Sequence, residues 1–428
     1  FTITSDGLSD VNVCIAGSQL TRWCSDLIEV NFHNNVKRYK KACRTGIDFD
    51  GRHYVNLFAT PGGNKLSTVI FINELYHADI WLRINCDRNP QLKLQAAKLN
   101  AYMALTASSS VPVCGFADLR FAVVADTSSV VNAVVRYNKN GHTSDPAPDD
   151  ISITPNDGFG LMRPELARAF GDKLGYPNTA INGVVRGPWL KGMLIPVPFD
   201  EFADERGVST FTDVWGNSHD IHDIDVIFTE SQVKLWKAYT DAEAYRAAAV
   251  KYGYELCFTK TSALQLRGIR TTNYQFLQDF ALDEDAVAAL CKPTIDRINA
   301  TRGGDWASMA LYLNGSHHLT TKSNAMVRAL ALDHTLANDR YFRGYVNRLK
   351  EREILDARKG KLDVHGDYPM LCGDPIYLLE SMFGLEPTGA IPADHCCHCG
   401  VNAVGAPYFA DDAELLLFRA PMITLENV

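Results

Sequence analysis

The spacing of apolar residues changes several times along this chain, and each change predicts an element. Strand formers dominate residues 54–60 and 66–72, with Pro61, Gly62, Gly63 and Asn64 between them, which predicts a hairpin. Residues 94–108 have helical spacing, whereas 117–126 and 130–137 read as strands. Residues 138–158 are rich in Asn, Asp, Pro and Gly and poor in large apolar residues, the pattern of a linker. Residues 163–174 predict a helix, with Pro164 in its first turn. Over 181–199, Gly187, Pro188, Gly192, Pro196 and Pro198 forbid a long helix and leave short strands and turns. Residues 211–229 form a second turn-rich β stretch, and 230–255 predict two helices split near Thr240 and Asp241. From about residue 263 the spacing is mostly helical, over 272–292 and 323–360, and 405–428 returns to strands. This order of elements predicts an α+β fold.

Composition narrows the class. A chain of 428 residues is long enough for two or three domains with a sizeable core. No apolar run reaches the length of a membrane span, and no export signal is visible, so an intracellular protein without membrane contact is expected. The chain starts at Phe1 rather than Met, which fits a piece of a longer protein. Eleven cysteines cannot all pair, and free thiols in a reducing compartment are the default. The net charge of −8 argues against a simple nucleic-acid coat, but local charge decides binding. Two basic runs stand out locally. Lys37, Arg38, Lys40, Lys41 and Arg44 surround Tyr39, and Arg343, Arg348, Lys350, Arg352, Arg358, Lys359 and Lys361 run against Glu351, Glu353 and Asp356. Each is either a solvated helix face with ion pairs or a stripe that tracks phosphates.

Three polar clusters suggest metal chemistry, each with a plainer reading. Asp48-Phe49-Asp50-Gly51-Arg52 puts two carboxylates on one side of a strand, as a Mg²⁺ loop would, but Asp-Gly is also a common turn pair. His219, Asp220, His222, Asp223 and Asp225 have the spacing of a transition-metal site, and a metallohydrolase built on His219, His222 and Asp223 is one reading. The other is a half-buried strand after the Trp215-Gly216-Asn217 turn. His395, Cys396, Cys397, His398 and Cys399 include a zinc-like Cys-x-x-Cys; Cys372 and His365 are its nearest partial complement, and free loop thiols are the plainer reading. There is no Gly-x-Ser-x-Gly and no Walker loop.

The strongest signal lies mid-chain. Asp157-Gly158-x-Gly160 makes a tight turn ahead of a helix, and Arg186 and Lys191 follow in a Gly/Pro-rich β segment. A lysine next to a glycine on a short strand can reach a polyphosphate unobstructed, and such cations stabilise phosphoryl oxygens. An ordinary β turn with exposed basic residues has the same pattern.

These segments carry a resemblance. Residues 157–167, Asp-Gly-Phe-Gly-Leu-Met-Arg-Pro-Glu-Leu-Ala, resemble the Asp-Gly-x-Gly-x-Ile-Ser-x-x-Leu-Ala signature of the two-barrel RNA polymerases. That family comprises the RNA-silencing RNA-dependent RNA polymerases and single-chain bacteriophage enzymes of the crAss-like type. Residues 184–194 resemble its Gln-Ile-Arg…Gly-x-Lys-Gly-Val-Leu segment, 211–239 its Asp-x-x-Gly-Asn…Thr-Glu-Ser…Lys stretch, and 416–422 its Arg-x-Pro segment. The likeness covers roughly residues 40–428 and is densest over 155–240.

The resemblance implies two facing double-psi β-barrels, of which this chain holds the first. The implied division is an N-terminal α+β region (1–145), the first barrel (146–262), a helical connector (263–362) and the start of the second barrel region (363–428). It implies template-directed RNA synthesis from nucleoside triphosphates on a DNA or RNA template. Lys191 and Arg186 match the catalytic cations, Lys234 a second cation, and Asp157, Gly158 and Gly160 the substrate-side turn. Lys37, Lys40, Arg343, Arg348 and Lys350 would hold nucleic acid. The sequence departs from the family where Trp189 replaces a glycine and where the usual glutamine is Asn182 or absent. The Asp-x-Asp-Gly-Asp loop that binds Mg²⁺ is not found in these 428 residues, so those ligands are expected outside the chain. Asp48/Asp50 then reads as a turn. A non-catalytic nucleic-acid binder on a degenerate barrel is the alternative, and packaging in a virion is left open.

Overall fold

The computed structural model describes residues 26–32, 35–59, 68–108, 110–139, 142–262, 282–301, 304–314 and 325–392, with short stretches elsewhere. The chain divides into two compact units, Phe1–Ser262 with Leu371–Cys396, and Ala263–Met370 with Cys397–Val428.

The first unit contains a four-stranded antiparallel sheet. Its strands are β1 (Leu27–Asn31), β2 (Ile47–Phe49), β3 (Arg52–Phe58) and β4 (Thr68–Asn73), in the order β1-β4-β3-β2. The predicted hairpin is β3 against β4, with Val55 opposite Ile72. Helix α1 (Val36–Thr45) is capped by Asn35, whose side chain accepts from the Arg38 amide. It turns Ala42 and part of Tyr39 onto a small core of Phe32, Tyr54 and Phe71. Asp50 and Gly51 both have positive φ, 48° and 70°, which is how an Asp-Gly pair closes a two-residue hairpin with right-handed twist. Asp48 accepts from His53 Nδ1 at 2.7 Å, so the Asp-x-Asp-Gly stretch is a turn. Helices α2 (Glu74–Asn85) and α3 (Ala96–Met103) follow.

The central sheet of this unit has seven strands and mixed direction. It contains β5 (Val111–Gly115), β6 (Phe121–Val124), β9 (Phe159–Met162), β10 (Gly183–Gly187), β11 (Leu190–Pro196), β14 (Val226–Thr229) and β15 (Glu255–Thr261). The order is β6-β14-β9-β11-β10-β15-β5. Two pairs are parallel, β6 with β14 and β9 with β11, and the other four are antiparallel. The sheet thus draws two strands from before residue 146. Phe116, Phe121, Phe170, Trp189, Phe228, Tyr245 and Phe258 fill its core, together with helix α4 (Pro164–Lys173) and helix α6 (Ala242–Lys251). Pro164 begins α4, where a missing amide hydrogen is harmless. Helix α5 (Phe199–Arg206) and a small ribbon of β12 (Thr210–Thr212) and β13 (Ser218–Asp220) complete this region.

Two expectations are corrected here. The linker proper is shorter than 138–158, because β8 (Ala147–Ile153) pairs along its whole length with β7 (Ser129–Val135). The two strands form a ribbon of their own whose Pro148 opposes Val134; proline is tolerated there because a two-stranded ribbon has only edges. Second, only 242–251 of the double-helix prediction is α-helical. Before it, Ser231–Lys234 spends its backbone groups elsewhere: the Lys191 amide donates to the Gln232 carbonyl at 3.0 Å and the Lys234 amide to the Trp189 carbonyl at 2.9 Å. Tertiary pairing has overridden helical spacing.

The second unit is mostly helical: α7 (Glu284–Ala300), α8 (Trp306–Asn314), α9 (Ala325–Leu332) and α10 (Arg340–Ala357), with a ribbon of β16 (Ile269–Thr271) and β17 (Asp363–His365). Met309, Tyr312, Leu330, Phe342 and Val346 form its core. Arg297 bridges Glu353 and Asp363, and Tyr312 donates to Glu353 at 2.8 Å. Helix α11 (Pro375–Met382) belongs to the first unit. The Arg-x-Pro segment near residue 420 and most of the predicted terminal strands lie outside the described residues. Among the described residues no helix is long and apolar enough to cross a membrane.

Candidate functional site

Strands β10 and β11 form a tight hairpin, and its register sets Arg186 directly opposite Lys191. The turn between them is Pro188-Trp189. Proline at its first central position and a φ of 57° at the second is the type II pattern, in which the second residue is normally glycine. A left-handed conformation costs an L-residue about 1–2 kcal/mol. Here Trp189 offsets it by burying its indole to 1% exposure and donating Nε1–H to the Tyr239 hydroxyl at 3.1 Å.

The cations of this hairpin face one another. Arg186 is half-buried, and its guanidinium donates to the Ser108 hydroxyl at 3.2 Å and to the Val185 carbonyl at 2.8 Å. Burial pushes its pKa down from the ordinary value, although a guanidinium stays charged. Lys191 is exposed. Desolvation lowers the pKa of its ammonium first, and the charges of Arg186 and Lys234 lower it further, while Asp157 works the other way. Because Lys191 remains open to solvent, the repulsion is partly screened. Four residues singled out in the sequence are thereby brought together: Arg186, Lys191, Lys234 and Asp157. Among the described residues none of the three cations has a carboxylate within ion-pair distance. Three neighbouring cations, none ion-paired among the described residues, form a site suited to a multiply charged anion.

A second set of contacts fixes the floor of this cradle. Gly158 has a φ of 78°, and its amide donates to Ser231 Oγ at 2.8 Å. Ser231 Oγ in turn donates to Asp126 at 2.8 Å. Burial pushes the Asp126 carboxyl up, with Glu230 and Asp157 adding to the rise and the Ser231 hydrogen bonds opposing it. Gln232 is fully buried; it accepts from the Thr229 amide at 3.1 Å and donates to the Met193 carbonyl at 2.9 Å. Gly160 and Gly192 both press on it. A Cβ on Gly160 would lie 2.3 Å from Gln232 Oε1 and from the Ile227 carbonyl, and one on Gly192 would lie 2.5 Å from the Gly158 carbonyl. Gly160 is buried, so its place in the site is as packing beneath the turn.

The remaining candidates lie on other elements. Lys37, Arg38, Lys40, Lys41 and Arg44 are all exposed on α1, and among the described residues no carboxylate pairs with them. On α10, Arg343 and Arg348 are exposed and Lys350 is half-buried. Two acids of that helix are engaged elsewhere, Glu353 with Arg297 and Asp356 with Lys361. His219 and His222 do not converge. His219 Nε2 bonds Asp213 at 2.9 Å, whereas His222 bonds Asp220 at 2.8 Å and Asp204 at 3.1 Å. Asp213 also accepts from the amides of Trp215 and Asn217, which makes it the organiser of that turn. The metallohydrolase reading therefore lacks its ligand set. Cys396 and Cys397 are exposed, and His398 and Cys399 lie outside the described residues.

Among the described residues no group of three or more His, Cys, Asp or Glu side chains is placed to hold a metal ion. The described residues do not fit a Mg²⁺ centre.

Sequence reasoning missed Asp126, Gln232, Tyr239 and Tyr245. Gln232 follows the Thr-Glu-Ser motif directly, which is a usable signal. The tyrosines act on residues 50 and 57 positions away, and nothing local announces that.

The family model described as RNA dependent RNA polymerase matches residues 14–423. The DNA-directed RNA polymerase YonO of Bacillus phage SPbeta is 30% identical over 339 residues, which is 77% of this chain and 37% of that protein. The RNA dependent RNA polymerase QDE-1 from Thielavia terrestris aligns over 79% of this chain and 38% of its own, with a TM-score of 0.47 and 16% identity. The chain thus spans little more than a third of the length of either. The match over nearly its whole length places this chain in the RNA-dependent RNA polymerase family.

Proposed function

We propose that this chain is the triphosphate-holding part of a template-directed RNA polymerase, and that its central sheet is the first of two double-psi β-barrels. The two parallel pairs bracketing an antiparallel one support the barrel reading. The observation that carries the functional reading is the facing pair Arg186 and Lys191, joined by Lys234, with no ion-pair partner among the described residues. In nucleotide addition, a 3′ hydroxyl attacks the α-phosphate and pyrophosphate leaves. Negative charge then accumulates on the phosphoryl oxygens and the leaving group. Cations already fixed in place stabilise that charge without reorganising, which is worth a few kcal/mol per contact. Lys191, open to solvent, would contact the incoming triphosphate, and Arg186, held by Ser108 and its own strand, would supply a rigid second charge.

Lys37 and Lys40 on α1, and Arg343, Arg348 and Lys350 on α10, are proposed to bind template or product through phosphates. The template is DNA or RNA. Mg²⁺, if used as the family resemblance implies, would take its carboxylates from outside residues 1–428. The protein would act inside the cell, and zinc has no complete ligand set among the described residues.

Equilibrium titration of the full-length protein with a nucleoside triphosphate tests this reading. Replacing both Arg186 and Lys191 by alanine is expected to weaken binding at least about tenfold, from two lost charge-assisted contacts. Unchanged affinity would remove the assignment and favour the non-catalytic nucleic-acid binder.

A further inference from the structure

The Pro188-Trp189 turn is held in a conformation that its own sequence disfavours. Trp189 takes a φ of 57° where glycine is usual. Two tyrosines hold it there. The Tyr239 hydroxyl accepts from the Trp189 indole at 3.1 Å and donates to the Cys86 carbonyl at 2.7 Å. The Tyr245 hydroxyl donates to the Pro188 carbonyl at 2.6 Å. The two rings meet edge-on, with centroids 5.2 Å apart, and Tyr245 also packs edge-on against Phe116 and Phe121. Gly187, the first residue of the turn, lies against Phe116, where a Cβ would come within 2.9 Å of the ring. Burial pushes both phenols well above their ordinary range, so each hydroxyl keeps its proton. The turn separates Arg186 from Lys191, so its shape sets the spacing of the two cations.

We propose that Tyr239 and Tyr245 are positioning residues for the cationic cradle, locking the strained Pro188-Trp189 turn and so fixing the geometry of Arg186 and Lys191. The proposal rests on the reading of that cradle as a triphosphate site. Its chemistry is that of preorganisation: a cation held in place by its surroundings binds phosphate without first being ordered. A tyrosine that merely fills the core would affect folding, but its effect would not depend on which residues stand at 186 and 191.

A double-mutant cycle separates the two cases. The full-length protein is titrated at equilibrium with inorganic tripolyphosphate and with a nucleoside triphosphate. Tyr239→Phe is expected to weaken both about threefold or more in the natural background. In the Arg186→Ala/Lys191→Ala background the same substitution is expected to change affinity by less than about twofold. Equal weakening in both backgrounds, or none in the natural one, overturns the proposal. If Arg186→Ala/Lys191→Ala itself leaves affinity unchanged, the cradle reading falls and takes this proposal with it. Where Tyr239→Phe fails to fold, Tyr245→Phe, which frees the Pro188 carbonyl of the same turn, is judged by the same comparison.

Discussion

Substituting Gly160 with alanine is the sharpest test of how the cradle's floor is built. The new Cβ would stand 2.3 Å from both the Ile227 carbonyl and Gln232 Oε1. Ordinary contact is about 1 Å longer, so something must move. The Ile227 carbonyl belongs to β14, paired directly with β9, and cannot retreat without parting the strands. Gln232 can swing away only by giving up its bonds to the Thr229 amide and the Met193 carbonyl, both buried. Overpacking costs about 1–3 kcal/mol and each orphaned buried polar group a further ~1–3 kcal/mol. A destabilisation of at least about 3 kcal/mol follows, or a fall in Tm of at least about 6 °C. Gly158→Ala is the control. Its φ is 78° but no atom lies within 4 Å of the added Cβ, so only backbone strain of about 1–2 kcal/mol is expected. Thermal unfolding of the two variants side by side decides the matter. Equal losses, or a smaller loss for Gly160→Ala, would refute the packing argument.

Three further predictions follow from other parts of the molecule. Because desolvation and the neighbouring cations hold Lys191 below the ordinary lysine range, triphosphate affinity should fall as pH rises through that lowered value. Lys191→Arg, charged throughout, should flatten that limb of the profile, and a profile unchanged by it would refute the assignment. Reversing charge on α1 with Lys37→Glu and Lys40→Glu should weaken nucleic-acid binding and reduce the slope of log K against log salt by roughly 1.5, about 0.7–0.9 per lost phosphate contact. Fluorescence anisotropy across a salt series measures it, and an unchanged slope would exclude α1 from the contact. Asp213→Ala should destabilise the protein by about 2–4 kcal/mol, since it strands the Trp215 and Asn217 amides and the His219 ring. Burial raises the Asp213 pKa, but the His219 and Asn217 hydrogen bonds outweigh it and set the carboxyl below its ordinary value. Its contribution is therefore present above the unfolded-state pKa and lost as pH falls through the folded one. Urea unfolding at neutral and acid pH should show a gap between wild type and variant that narrows in acid.

What could be read from the sequence was local chemistry. Asp50-Gly51 made a turn because both residues tolerate positive φ, and Pro164 opened a helix because it needed no partner for its nitrogen. The hairpin of β3 and β4 followed from runs of strand formers on either side of a turn signal. Features that depend on distant partners were illegible. Strand β8 looked like linker because Pro148, Asp149 and Asp150 are poor strand residues, yet β7 offered it a complete partner. Ser231–Lys234 had helical spacing, but the turn at Trp189 claimed its backbone groups first. The same holds at the site. Arg186 and Lys191 stood out by residue type, whereas the tyrosines that shape the turn between them needed the fold to reveal them.

In the proposed reading, Lys191 touches the triphosphate during chemistry. The direct measurement is the rate of single-nucleotide addition on a primed template by full-length protein carrying Lys191→Ala. Loss of one preorganised cation should slow addition at least about a hundredfold, equivalent to roughly 2.7 kcal/mol at the transition state. A variant that extends at the wild-type rate would contradict it.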